Sequence, residues 1–275
     1  MATLNKISPR QLERVAVRAS QRAATILRKY YRSGAASVHK GAVNLLTKAD
    51  VESQNIIVKT LQSAFPSHSI LAEENEQGHK ESLDGPIWVV DPLDGTTNFA
   101  HGFPVFAISI AFREHGEMKF ALVHQPILHE LFLAHRGRGA TLNGKKIHVS
   151  RQDDFSKTLL ATGFPYDRRT SPENNLDLFG YFELKALCVR RAGAAAVDLA
   201  YLACGRFDGF WEPKLAPWDI AAGMLLVEEA GGIVSDYRGA PLSDLWCNEI
   251  VAANNSAIHH ELVEGIGAVR ARRTS

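Results

Sequence analysis

The chain has 275 residues, 45% of them hydrophobic and 22% charged, with 31 Lys and Arg against 30 Asp and Glu and a formal net charge of +1. These are ordinary globular proportions: enough apolar mass for a sizeable core, no basic excess that demands nucleic acid, and too few cysteines for a disulfide framework. At this length a two-lobed unit with a shared cleft is expected, divided near residues 150–156 into an N-terminal α+β half (1–150) and a C-terminal α/β half (151–275).

Cys188, Cys204 and Cys247 form no C-x-x-C pair, which argues against zinc and for a reduced, cytoplasmic setting. The opening MATLNKISPR has no apolar signal core. The most apolar stretch, residues 103–112, is well short of the ~20 residues that span a bilayer. A soluble protein without a membrane partner is expected.

Residues 9–32 read as a helix. Leu12, Val15, Ala16, Ala19, Ala23, Ile26, Leu27 and Tyr30 recur at helical spacing, and Arg and Gln occupy the other face. Ser8-Pro9 has the form of an N-cap followed by proline at the first helical position. Residues 39–50 read as loop and turn. A second amphipathic helix follows, with Val51, Ile56, Ile57, Leu61 and Phe65 on one side and Pro66 as its stop. Asp50 then sits at a helix N-terminus, where a carboxylate favours the dipole. Residues 69–72 form a short strand that runs into the acid pair Glu73-Glu74.

Residues 87–99 read IWVVDPLDGTTNF and carry the most chemistry. Residues 87–90 form a buried strand that stops at Pro92, which has no N–H for a ladder. Asp91 and Asp94 flank Pro92-Leu93 and leave the strand end in a tight turn. Two carboxylates on one turn suit hard cations such as Mg²⁺, and two ions ~3.5–4 Å apart clamp the attacking and leaving oxygens of a phosphoryl transfer. Gly95 supplies backbone freedom, and the Gly95 and Thr96 amides face the same space as an anion site. Thr96, Thr97 and Asn98 suit the capping of a following helix. An isolated D-P-x-D-G is more often a plain Asx-rich turn, but the longer string after an apolar strand is far more specific.

From residue 103 onward, runs at 105–113, 119–125, 130–135 and 141–149 read as an antiparallel meander. Within it GATLNGKK nearly matches a phosphate loop, but Lys146 stands where Ser or Thr is needed. Asn143-Gly144 lies between two β-like runs as a hairpin turn, which excludes a nucleotide triphosphatase. The second half alternates strand and helix: strand 158–162, helix 173–182, strand 185–190, helix 194–203, strand 207–211, helix 220–230, strands 233–235 and 250–253, and a final helix at 259–271. Helices packed on a sheet follow from that alternation. Pro217 starts a helix and Asp219 lies in its first turn, with Ala221, Ala222 and Gly223 permitting close packing. The eleven histidines form no H-E-x-x-H, and no G-x-S-x-G elbow is present.

The string at 91–99, W-D-I-A-A-G at 218–223 and E-A-G-G at 229–232 together resemble the two signatures of the inositol monophosphatase family, with the bacterial extragenic-suppressor subgroup as the nearest match. The resemblance runs from about residue 44 to residue 251. It implies a layered α-β-α-β-α sandwich, a homodimer, and lithium-sensitive, Mg²⁺-dependent hydrolysis of a small phosphomonoester by activated water, myo-inositol 1-phosphate first. It implies two or three ions. Glu73, Asp91 and the Leu93 carbonyl hold one with Thr96, Asp91, Asp94 and Asp219 hold another, and Glu74 supports Glu73. Asp50 and Thr96 orient the attacking water, and Lys40 resembles a lysine near the metal waters. Residues matching Gly193, Ala195 and Glu212 line the inositol pocket with Asp219, and the Gly95 and Thr96 amides meet the phosphoryl oxygens.

Two positions depart from the family pattern: Ala72 replaces a usual Gly beside Glu73, and Ala194 replaces a frequent Ser or Thr in the pocket. Sister enzymes acting on 3′-phosphoadenosine 5′-phosphate, fructose 1,6-bisphosphate or histidinol phosphate are the alternative, against which Thr97-Asn98-Phe99 argues. A regulatory role in ribosomal-RNA transcription antitermination, through protein partners of the transcription complex, is compatible with an intact metal site.

Overall fold

The computed structural model describes residues 8–33, 37–40, 44–73, 85–242 and 246–273, with 32–33, 37–40 and 44–47 as backbone alone. Helix α1 (Pro9–Ser33) begins where the sequence expects, and the Gln11 N–H donates to Ser8 Oγ at 3.2 Å. Residues 39–50 are not simply loop: strands β1 (Ser37–Lys40) and β2 (Asn44–Thr47) pair antiparallel as a small hairpin before helix α2 (Lys48–Ala64). Runs of four residues are too short to carry a readable period. Ile57, Leu61 and Phe65 are buried as expected, but Val51 is 39% exposed, because it lies with Glu52 on the outer face of the helix while Ala49, Asp50, Ser53 and Gln54 face inward.

Seven strands follow as one sheet: β3 (Ser69–Ala72), β4 (Ile87–Asp94), β5 (Ala107–Glu114), β6 (Glu117–Gln125), β7 (Glu130–His135), β8 (Gly139–Leu142) and β9 (Lys145–Ile147). They lie in sequence order. β3 pairs parallel with β4, and every later pair is the antiparallel meander. Asn143 (φ 50°) and Gly144 (φ 77°) make the two-residue turn between β8 and β9, with Leu142 opposite Lys145. Side chains alternate across the sheet. Trp88, Val90, Ile110, Phe112 and Leu122 pack under α1 and α2. Val89, Ala111, Ala121, Val123 and Phe132 face the opposite way, into the middle of the molecule.

Between residues 96 and 273 lie helices α3 (Thr96–Ala100), α4 (Leu176–Glu183), α5 (Ala195–Ala203), α6 (Pro217–Glu229) and α7 (Ser256–Arg273). A second sheet runs in the order β11-β10-β12-β14-β13, from β10 (Leu159–Thr162), β11 (Cys188–Arg190), β12 (Gly209–Pro213), β13 (Ile233–Ser235) and β14 (Glu249–Ala253). β10 is parallel to β11 and β12, and the other pairs are antiparallel. Helices α5 and α6 fill the space between the two sheets with small residues. A Cβ on Gly223 would stand 2.5 Å from Leu199 Cδ1, so only glycine allows the two helices so close. Helices α4 and α7 cover the far face of the second sheet through Phe182, Ile258, Leu262 and Ile266 on Leu160, Trp211 and Val251. The result is an α/β sandwich of five layers, α-β-α-β-α. Among the described residues no helix is long and apolar enough to cross a membrane.

Candidate active site

Strand β4 does not stop at Pro92. It continues to Asp94 through a break in its pairing with β5: Asp91 lies opposite Ser109, but Asp94 lies opposite Ala107. Three steps on one strand against two on the other make a bulge, and a bulge tolerates a residue that donates nothing to the ladder. The Asp91 Oδ1 accepts from the Leu93 N–H at 2.8 Å, and the Leu93 carbonyl accepts from Thr96 Oγ1 at 3.1 Å. Gly95 takes φ 90°, and a Cβ there would stand 2.9 Å from the Val105 carbonyl oxygen. The expectation that Thr96–Asn98 side chains cap the next helix is corrected: no side chain caps α3. Instead Asn98 Nδ2 donates to the carbonyls of Val105 (2.7 Å), Ala192 (2.9 Å) and Gly193 (3.3 Å), tying the bulge to the loop before α5.

Other elements bring further acids to this bulge. Asp50 is buried in the first turn of α2, one turn before Ser53, whose hydroxyl donates to the Pro92 carbonyl at 2.9 Å. Glu73 follows β3, the parallel neighbour of β4. Asp219 lies in the first turn of α6 and its Oδ2 accepts from the Ala216 N–H at 2.7 Å. Asp94 Oδ2 accepts from the Ala196 N–H at 2.9 Å at the start of α5. Three helix N-termini therefore meet around one acidic cleft, and their dipoles favour negative charge there.

The acids act on one another. Burial holds Asp91 well above the ordinary carboxylate range, reinforced by Glu73, Asp94, Asp219 and Asp50. Burial and then Asp219 push Asp94 up to about 7, against the pull of the Ala196, Val197 and Ala195 amides. Burial raises Asp219 to about 6, opposed by the Ala216 amide. The donors are all oxygens, the carboxylates plus the Leu93 carbonyl, which is the chemistry of a hard divalent cation. Among the described residues no three His, Cys, Asp or Glu side chains converge closely enough to hold an ion as they stand. The fit to a cation rests on the oxygen donor set and on a buried negative field that its strongest neighbours deepen rather than relieve.

The expected pocket residues stand at the C-terminal ends of the parallel strands, where α/β sheets bind ligands. Gly193 (φ 84°) follows β11, Ala195 opens α5, and Glu212 lies inside β12. Glu212 is buried and not a surface partner of Lys214, whose Nζ donates to Asp167 Oδ2 and Ser171 Oγ, each at 2.7 Å. Burial and then Asp219 raise Glu212 to about 8, with Arg191 opposing. Gly163 makes room for that carboxyl: a Cβ there would stand 1.9 Å from Glu212 Oε1.

Three residues without a motif in the sequence also stand here. Asp198 is buried in α5, and neither carboxyl oxygen has a hydrogen-bond partner among the described residues. Burial, then Glu212 and Asp94, raise it well above its ordinary value, and Arg191 lowers it. Its one signal in sequence is an acid inside the apolar run AAVDLAYLA. Tyr166 is 60% exposed, yet burial of its phenol and then the nearby Glu73, Asp219, Asp94 and Asp91 raise it above its ordinary value. Arg191 lies over Gly193, where a Cβ would meet its Nη1 at 2.3 Å. Lys40 ends β1, but its side chain lies outside the described residues, as does all of Glu74.

The model of the inositol monophosphatase family matches residues 8–270. The chain is 44% identical over 243 residues to the Nus factor SuhB of Escherichia coli (strain K12), covering 87% of this chain and 90% of that one. It is 45% identical over 228 residues to the inositol-1-monophosphatase of Synechocystis sp., covering 82% of this chain and 78% of that one. The solved inositol monophosphatase of Anabaena (Nostoc) sp. PCC 7120 superposes with a TM-score of 0.82 at 39% identity, covering 92% of this chain and 94% of that one.

Proposed function

Because the chain belongs to the inositol monophosphatase family, we propose that it is a Mg²⁺-dependent phosphomonoesterase that hydrolyses myo-inositol 1-phosphate to inositol and phosphate. The observation that carries this reading is that buried Asp91 and Asp94 on the β4 bulge, half-buried Asp219 and Glu73 act on one another across one cleft, with the α5 and α6 N-termini donating amides to Asp94 and Asp219. Such a site needs positive charge to be stable in its ionised form, and it is prepared to receive an anion.

Glu73, Asp91, the Leu93 carbonyl and Thr96 would hold one ion, and Asp91, Asp94 and Asp219 another, two or three in all. Bound divalent ions supply water activation and neutralise charge on the phosphoryl group. The protein's own contribution is placement. Thr96 gives its hydroxyl hydrogen to the Leu93 carbonyl and so keeps lone pairs to accept from the attacking water, with Asp50 as the second acceptor. The Gly95 and Thr96 amides receive phosphoryl oxygens, and Glu212, Gly193 and Ala195 line the space for the polyol. Lys40 belongs to the same assignment as a neighbour of the reacting waters. A homodimer, lithium inhibition and work in the cytoplasm, where Cys188, Cys204 and Cys247 remain free thiols, complete the proposal.

The test is phosphate release from myo-inositol 1-phosphate, 2-glycerophosphate, 3′-phosphoadenosine 5′-phosphate, fructose 1,6-bisphosphate and histidinol phosphate, with Mg²⁺ and after chelation. Preference for the inositol ester with Mg²⁺, and loss of turnover in EDTA, is expected. Full turnover after exhaustive chelation would sink the metal mechanism, and preference for another ester would move the enzyme to a sister activity. The Nus factor name of the Escherichia coli relative supports a second reading, a regulatory role in ribosomal-RNA transcription antitermination through protein partners. Retention of transcription proteins by an Asp91→Asn variant would separate that role from catalysis.

A further inference from the structure

A net charge of +1 conceals an uneven distribution. Helix α1 carries seven Lys and Arg residues against one acid, Glu13. Arg10, Arg14, Arg18 and Arg22 recur at every fourth position, and all four are exposed. At ~1.5 Å of rise per residue they follow one another every ~6 Å along the axis. Glu13, which lines the same face, offsets at most one of these four charges, and its carboxylate meets His135 Nε2 at 2.7 Å rather than an arginine. Arg22 Nη1 donates to Thr60 Oγ1 at 2.9 Å, and Arg10, Arg14 and Arg18 make no ion pair among the described residues. An open groove of about 430 Å³ runs along this face, lined by Arg10, Glu13, Arg14, Val17, Arg18 and Gln21.

This arrangement is unfavourable by itself. Like charges four residues apart repel, cations near a helix N-terminus oppose its dipole, and α1 has no acid in its first turn. The apolar side of α1 is already buried on the seven-stranded sheet, so the arginines are not there to hold the core. They also lie on a different element from every acid of the catalytic cleft.

We propose that the arginine stripe of α1 binds the phosphodiester backbone of a nucleic-acid strand without regard to its sequence. A guanidinium fork matches phosphate oxygens, and a basic stripe along one helix is the electrostatic footprint of such binding. One strand presents a charge every ~3.4 Å of axis, so arginines ~6 Å apart meet about every second phosphate. A protein partner fits less well. Stable protein interfaces are built around a desolvated apolar or aromatic centre, and none of the exposed large hydrophobic residues belongs to α1.

The test uses the full chain and a fluorescently labelled single-stranded RNA of about 20 nucleotides, with duplex DNA as a second arm, followed by anisotropy across a KCl series. Binding should weaken with salt at a slope of about −2 for three neutralised phosphates on the single strand. Binding of either form supports the proposal, and the tighter one identifies the form. The triple variant R10E/R14E/R18E should bind at least tenfold more weakly at the lowest salt, with its thermal melting not lowered. R10Q/R14Q/R18Q should lose less, and serves if charge reversal disturbs folding. A control reversal on exposed residues elsewhere, K145E/K146E/R151E, should bind like the parent chain. No binding by the parent chain in about 50 mM KCl overturns the proposal, as does equal loss in the control. Displacement of the RNA by polyglutamate at equal charge also overturns it, by making the stripe a docking face for acidic protein. None of these readouts depends on phosphatase activity.

Discussion

Asp50 and Asp91 are both buried beside the β4 bulge, but they are attached to it differently. Asp91 belongs to the bulge and accepts from its Leu93 amide, whereas Asp50 reaches it from the first turn of α2. If Asp91 holds cations and Asp50 orients water, Asp50→Asn should lower kcat by ~10²-fold or more with Mg²⁺ affinity nearly kept. Asp91→Asn should lower both. Calorimetric titration of Mg²⁺ into the two variants decides it, and equal loss of metal binding would refute this division. Glu212 is the residue assigned to the polyol. Glu212→Ala should raise KM for myo-inositol 1-phosphate by one or two hydrogen bonds to a charged group, each worth ~1.5–3 kcal/mol. Turnover of 2-glycerophosphate, which has no ring hydroxyls, should change much less. Equal loss of kcat/KM on both substrates would make Glu212 a support of the fold or of the metal site.

At the scale of elements, the β4 bulge and the loop before α5 are joined by one side chain. Asn98 Nδ2 donates to three carbonyls on the two segments, most closely to those of Val105 and Ala192. Asn98→Ala should leave buried carbonyls unsatisfied at ~1–3 kcal/mol each, lowering the urea midpoint with an unchanged m-value. It should also loosen Gly193 and raise KM for the inositol ester. An unchanged midpoint would show that water replaces the amide. The meander between residues 107 and 147, helix α1 and strand β3 were legible from period and turn chemistry, because their patterns repeat over many residues or end on a clear breaker. Strand β4 was misread at Pro92, since a proline signals an end unless the partner strand makes a bulge around it, and the partner lies far along the chain. Strand β12 reaches Pro213 and so encloses Glu212, which the apolar run alone placed at a strand end.

Across the whole molecule, charge and layering set the response to pH. In the folded protein Asp219, Asp94 and Glu212 are pushed up to about 6, 7 and 8, all above the value near ~4 of unfolded acids. The folded state therefore binds more protons between these limits. The stability this contributes is full below the unfolded values and is lost as pH rises through the folded ones. Without metal, the melting temperature should fall between about pH 5 and about pH 8. Mg²⁺ should restore it more at the upper end, with protons released on binding. An equal gain at both pH values would show that these acids are not the ligands. The division near residue 150 remains our proposal for two lobes of one unit. Because α5 and α6 lie between the two sheets, residues 1–150 and 151–275 expressed separately should expose that middle layer and fail to give cooperative melting. Cooperative melting of either piece alone would show an independent domain.

The sequence by itself determined most elements and the donor types, because hydrophobic period and turn residues are local properties of a few neighbouring side chains, and the resemblance carried by the strings at 91–99 and 218–223 implied the layered sandwich. Only the tertiary structure decided that Asp94 is held by the amides of α5, that Glu212 is buried against Gly163, and that Asp198, Tyr166 and Arg191 share the same cleft. Those facts depend on distances between residues far apart in the chain, 102 positions for Asp94 and Ala196, and on the burial that multiplies the effect of one charge on another.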